Sequence, residues 1–242
     1  MKKYSKGLLL LLSVVLLAAC SESADQLTMD EVENRMDQSV EEMDNYEIDL
    51  ALKVLAKDME KGEQKQVNRG KIQYIDKESP EFHASYVTTT DGQSNDFTSE
   101  VYRKDNIVLT NENGGDWQDV SGKYSEEELM NAQYDKLVAS LREVSDELAM
   151  KEKDKEYILT YAGNDQELYK VFQKQFNISF SGVDSSNIHS TLEAKITKDH
   201  MRLKEFQYEA EGKNPMQSVT ITVNLEYGKV GEVEEIVLPN YQ

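Results

Sequence analysis

The chain has 242 residues, 27 of them basic and 46 acidic, for a formal charge of −19, and it has a single cysteine. So acidic a protein repels phosphate backbones and anionic headgroups, which excludes nucleic acid as a partner. One cysteine excludes an intramolecular disulfide, so stability must come from the core.

Lys2, Lys3 and Lys6 precede an apolar run that starts at Leu8 and closes on Leu17-Ala18-Ala19-Cys20. A charged start, an apolar stretch and a small-residue cleavage site form the order of a secretory signal peptide. From Gly7 to Ala19 the run is about 13 residues, short of the roughly 20 a spanning helix needs, which argues against an uncleaved anchor. An ordinary soluble signal fits the length but has no use for Cys20. Leu17-Ala18-Ala19-Cys20 resembles the lipobox of bacterial lipoproteins. The resemblance implies that residues 1–19 are removed and that Cys20 carries a diacylglyceryl group. The protein is then held at the extracytoplasmic face of the cell membrane, in the manner of Gram-positive lipoproteins. Two acyl chains give stable attachment where one gives only marginal binding. Without residues 1–19 the chain keeps 24 basic residues against 46 acidic ones, a formal charge of −22. Residues 20–27 read as the lipidated cysteine and a short polar tether, and 28–242 as a single domain.

Val32, Met36, Val40 and Met43 recur every three or four positions, and Thr28 with Glu31 fits a capping box, so a helix is expected over roughly 28–44. The period then changes to two. Tyr46, Ile48, Leu50, Leu52, Val54 and Ala56 alternate with more polar residues, as in a long half-buried strand. Further strands are expected at Lys71 to Asp76, Phe82 to Thr89, Phe97 to Arg103 and Asn106 to Thr110. Between them, Lys104-Asp105-Asn106 and Asn113-Gly114-Gly115-Asp116 supply turn residues that tolerate positive φ. A helix capped by Ser125, with Leu129, Leu137, Leu141, Val144 and Leu148 on one face, is expected to reach about Met150. A strand at Tyr157 to Ala162 leads into a helix after Asn164 with a stripe of Leu168, Val171, Phe172 and Phe176. The C-terminal part returns to strands: Leu192, Ala194 and Ile196, then Leu203 to Tyr208, then Val219 to Tyr227, with Glu232 to Leu238 expected to close the sheet. No strand-helix-strand rhythm is present, so the class is α+β with a large curved antiparallel sheet covered by about three helices.

Catalytic patterns are missing from the sequence. His83, His189 and His200 are far apart, none has a partner at metal-ligand spacing, and there is no nucleophile elbow, phosphate-binding glycine loop or paired zinc motif. Asp91-Gly92-Gln93-Ser94-Asn95-Asp96 lacks the later glutamate of a calcium loop and reads as a hairpin turn. The expectation is a protein that is not an enzyme and needs no metal and no cofactor.

An N-terminal helix, a run of antiparallel strands and helices inserted before the last strands resemble the LolA/LppX-like group. Val101-Tyr102-Arg103-Lys104-Asp105-Asn106-Ile107-Val108-Leu109, leading to Gly115-Asp116-Trp117, is similar to a strand-turn-strand stretch of small Gram-positive lipoproteins assigned there. The resemblance implies a half-barrel closed by helices that binds or carries an apolar ligand such as a lipid. Ile48, Leu50, Leu52, Trp117, Val219, Ile221, Val223 and Leu225 are then the candidate ligand face, against the plainer reading that they fill a core. The alternative is an accessory protein whose acidic exterior meets a basic protein or cell-wall component and which has no ligand cavity.

Overall fold

The computed structural model describes residues 27–75, 79–124, 132–180 and 183–241. Cys20 and the signal-like segment lie outside them. Helix α1 (Met29–Val40) opens on the expected capping box: the Thr28 hydroxyl accepts from the Glu31 amide, and the Glu31 carboxylate accepts from the Thr28 amide at 2.8 Å. Six strands follow in antiparallel succession: β1 (Asn45–Asp58), β2 (Gly62–Ile75), β3 (Glu81–Thr90), β4 (Phe97–Lys104), β5 (Ile107–Glu112) and β6 (Gln118–Asp119). Helix α2 (Tyr134–Glu143) leads to β7 (Ala149–Lys153) and β8 (Glu156–Gly163). Helix α3 (Gln166–Phe176) leads to β9 (Ile188–Thr197), β10 (Leu203–Lys213) and β11 (Gln217–Gly228).

The strand order is β6-β5-β4-β3-β2-β1-β11-β10-β9-β8-β7. Each strand pairs with its neighbour in sequence, except that β1 pairs with β11 at the centre and β6 and β7 are the two edges. Those edges do not pair with each other, so the sheet is an open half-barrel of the α+β class.

Alternation sets the two faces. Tyr46 and Ile48 on β1, Ile72 and Tyr74 on β2, Phe82 and Ala84 on β3, and Phe206, Val223, Leu225 and Tyr227 at the centre form one apolar face. The helices pack on that face. Tyr46, Tyr134 and Tyr227 meet edge to face or tilted with centroids 5.2–6.2 Å apart, and Phe172 of α3 lies 5.4 Å from Phe206 and 4.9 Å from Tyr208. Burying each such side chain contributes about 1.5–3 kcal/mol.

Long-range hydrogen bonds lock α2 in place. Gln133 provides no side-chain cap, and the Tyr46 hydroxyl from β1 accepts from the Tyr134 amide at 3.0 Å instead. The Tyr134 hydroxyl in turn accepts from the Leu203 amide and meets Ser39 of α1. α3 is capped by Asp165, whose carboxylate accepts from the Leu168 amide, one residue later than expected.

Three expectations are corrected. The helix expected to reach Met150 ends at Glu143: Val144 leaves helical geometry, a 3₁₀ turn spans Ser145–Glu147, and Ala149 starts β7 because Met150 pairs with Leu159. Its proposed start at Ser125 lies outside the described residues. β2 begins at Gly62, nine residues before the expected strand, since its polar first half pairs with β1 beyond the helices. Glu232 to Leu238 is not a strand. That segment is pinned by paired hydrogen bonds between Asn45 and Val233 and by the Lys104 ammonium donating to the Ile236 carbonyl. Among the described residues no helix is long and apolar enough to cross a membrane.

Candidate functional site

Register aligns the apolar face into rungs that cross the sheet. One rung runs Phe97–Thr88–Asn68–Leu52–Val223–Tyr208–Leu192. On its β9 to β11 side every side chain is buried: Val223 is 1%, Tyr208 0% and Leu192 3% exposed, and Phe172 and Phe176 of α3 pack on Tyr208. On its β1 to β4 side the cover is withdrawn. Leu52, Asn68 and Thr88 are half-buried, and Phe97 is 39% exposed.

The neighbouring rungs repeat the contrast. Leu50 faces buried Leu225, and Val54 faces buried Ile221, yet both β1 residues are only partly covered. Tyr86 lies across Gly70, and Val101 packs at the margin. Towards the other end of the strands the face is closed again, because Tyr46 and Ile48 lie beneath Tyr134 and Tyr227. Among the described residues, the helices therefore cover an L-shaped area and leave one largely apolar quadrant, on β1 to β4 toward the hairpin tips, open. Those tips are tied together by the Met59 amide donating to the Met216 carbonyl, and both methionines are exposed.

The expected ligand face divides accordingly. Leu50 and Leu52 line the quadrant, Val219 is partly buried at its edge, and Ile48, Ile221, Val223 and Leu225 belong to the closed core. Trp117 does not join them. It meets Tyr102 edge to face at 5.3 Å, and Tyr102 stacks on His83, on the face opposite to Ile48. Val54, Tyr86 and Phe97 were missing from that set, although the alternation continuing past Leu52 and the Phe82 to Thr89 strand carry two of them in plain view.

At the centre of the sheet the opposite face is polar. Glu47, only 5% exposed, is held by Lys71 at 2.5 Å and Lys229 at 3.1 Å. Burial pushes its carboxyl up, but the two ammonium groups outweigh burial and keep it below the ordinary range. Beside it, Asp49, Glu226 and Glu205 occupy consecutive positions across three strands and line an open groove of about 390 Å³ with Arg69 and Lys195. A second open groove, of about 890 Å³, runs between α2 and α3 and is rimmed by Lys136, Glu143, Glu167 and Lys174. Beneath Tyr46, Tyr74 and Tyr134 a space of about 10 Å³ suits one water molecule. Among the described residues no group of three or more His, Cys, Asp and Glu side chains is placed to hold a metal ion.

An open antiparallel half-barrel with helices on one face and an apolar quadrant left uncovered is the architecture of this chain. It belongs to a family of unknown function, DUF6612, which matches it over residues 28–241. No curated protein matches it. Among solved structures it is similar to LprF from Mycobacterium bovis, at 10% identity and a TM-score of 0.37 over 87% of this chain and 97% of that one. It is also similar to a LolA superfamily protein from Nitrosomonas europaea (7% identity, TM-score 0.25, 84% and 93% of the two chains). A third is a DUF1329 family protein from Desulfovibrio piger (13% identity, TM-score 0.31, 83% and 92%).

Proposed function

We propose that this chain is a membrane-tethered extracytoplasmic lipoprotein that binds an apolar ligand, such as a lipid, in the uncovered quadrant and catalyses no reaction. The observation that carries this reading is the contrast on a single rung: Val223 is sealed while its cross-strand partner Leu52 is only partly buried and Phe97, at the far end of the rung, is exposed. An apolar surface left open at the centre of a large sheet costs about 25 cal/mol for each Å² exposed, and contiguous patches of this kind mark binding sites more often than scattered surface residues do. The tether rests on Cys20 at the end of the signal-like segment.

The test is native mass spectrometry of residues 21–242 purified from bacterial cells, followed by organic extraction. A discrete added mass identified as a lipid supports the reading. An unliganded mass that stays unchanged after incubation with membrane lipids overturns it.

A second reading, a protein that docks a basic partner on its acidic surface, is favoured by the row of Asp49, Glu226 and Glu205, where like charges stand directly opposite at a cost to the sheet. It predicts a partner that dissociates steeply as salt is raised.

A further inference from the structure

The uncovered quadrant is not uniformly apolar. Asn68 stands in its middle, in register with Leu52 on one side and Thr88 on the other. Its amide oxygen is sealed from solvent and has no hydrogen-bond partner. Buried acceptors are paired in the great majority of folded proteins, so an unpaired one on a partly covered face calls for a physical reason. One rung along, Tyr86 is partly buried, and burial raises its hydroxyl to about 12. Tyr86 sits diagonally from Asn68 across β2 and β3, within reach of the same bound molecule.

Resting on the reading that this quadrant receives an apolar ligand, we propose that the ligand is an amphiphile whose apolar body carries a neutral hydrogen-bond donor, a hydroxyl or an amide N–H, that donates to Asn68 Oδ1. The neighbouring chemistry selects the neutral donor. An anionic headgroup would set its own oxygens against that of Asn68. A cation would find no carboxylate beside Asn68, where the adjoining positions are Leu50, Leu52, Gln66, Tyr86 and Thr88; the carboxylates on this face of β1 to β5, Asp58 and Glu112, lie at strand ends away from it. Because the oxygen is sealed by its immediate neighbours, bulk water does not reach it, whereas a ligand that displaces those side chains does.

The experiment is calorimetric titration of the full chain with matched pairs. Dodecan-1-ol is compared with dodecyl methyl ether, N-dodecylacetamide with its N-methyl derivative, and laurate serves as the anion. The expected result is about tenfold tighter binding of the donor-bearing member of at least one pair, with laurate weaker than the alcohol. The pair with the larger ratio distinguishes hydroxyl from amide. Asn68→Leu is expected to bring that ratio within twofold, with thermal stability unchanged or raised. Equal binding of both members of each pair by the native chain overturns the proposal and assigns the oxygen to a bridging water, leaving the apolar site standing. So does tighter binding of the ether, which would place the amide nitrogen there. If none of the five compounds binds, the apolar reading itself fails. The native ratios decide these cases even if the variant does not fold.

Discussion

The ring of Tyr86 lies flat across Gly70 on the neighbouring strand, with its Cδ1 atom 2.5 Å from the point a β-carbon on Gly70 would occupy. A side chain at position 70 and this placement of the tyrosine exclude each other. Gly70→Ala should therefore push Tyr86 out of the quadrant and lower stability by about 1–3 kcal/mol, the cost of overpacking. Urea unfolding reads the stability and apolar-probe fluorescence reads the site. A variant as stable as the native chain would mean that Tyr86 moves aside freely.

Leu52 and Val223 face each other across β1 and β11, which permits a matched comparison. Leu52→Asp should leave a folded protein that no longer binds apolar probes, because a carboxylate there still reaches solvent. Val223→Asp buries the same charge at a site 1% exposed and should cost several kcal/mol, enough to prevent folding. Circular dichroism separates the two outcomes. Equal damage from both would show that the quadrant is in fact closed.

Glu47 links stability to acid. Its folded pKa lies below the ordinary 4.5 because the Lys71 and Lys229 hydrogen bonds outweigh the upward push of burial. The stability it provides is complete above pH 4.5 and is lost as the pH falls through the lower folded value. The thermal midpoint should drop on acidification through that window. Glu47→Gln should start from a lower midpoint at neutral pH and fall less steeply. Some slope will remain, because Glu205, held by Lys195 and Lys204, is lowered in the same direction. Parallel curves for the two proteins would remove Glu47 from the account.

The Tyr134 hydroxyl serves two elements at once, accepting from the Leu203 amide at 2.9 Å and meeting Ser39 Oγ at 3.0 Å. Tyr134→Phe keeps the packing against Tyr46 and Tyr227 but strands a buried N–H. The expected loss is about 1–3 kcal/mol, larger than that for Ser39→Ala, since the Ser39 hydroxyl also donates to the Met36 carbonyl of its own helix. Denaturant midpoints of the two variants provide the check.

Membrane attachment through Cys20 has a direct test by cell fractionation. Cys20→Ala should release the protein to the medium or leave it unprocessed. Normal cleavage with continued membrane attachment would refute the lipid anchor.

Much of the fold was legible in the sequence because two periods dominate it. The three-to-four spacing after Thr28 and the strict alternation from Tyr46 to Ala56 each match an element of the structure. Where one face is uncovered, alternation weakens, and that is why Gly62 to Gly70 did not read as strand: its outer half bears Glu63, Gln64, Lys65 and Gln66 on both faces. The candidate site was legible only as a list of apolar residues. Leu52 and Val223 look alike in sequence, and what separates them is the position of α3, whose Phe172 and Phe176 stack on Tyr208, the cross-strand neighbour of Val223 on the side away from Leu52. Trp117 was misplaced for a related reason: a residue in the turn before a two-residue strand carries no alternation from which to read its face.

The pairing of β1 with β11 joins residues as far apart as Glu47 and Gly228. The middle of the sheet thus comes into being only when the last tenth of the chain is available to it. A growing polypeptide can assemble the β1 to β5 meander early, but that meander has an unsatisfied inner edge along the whole of β1 until β11 arrives. Contacts so distant in sequence slow the final closure, and a chain truncated before Gln217 keeps a fourteen-residue strand open to pairing with other molecules.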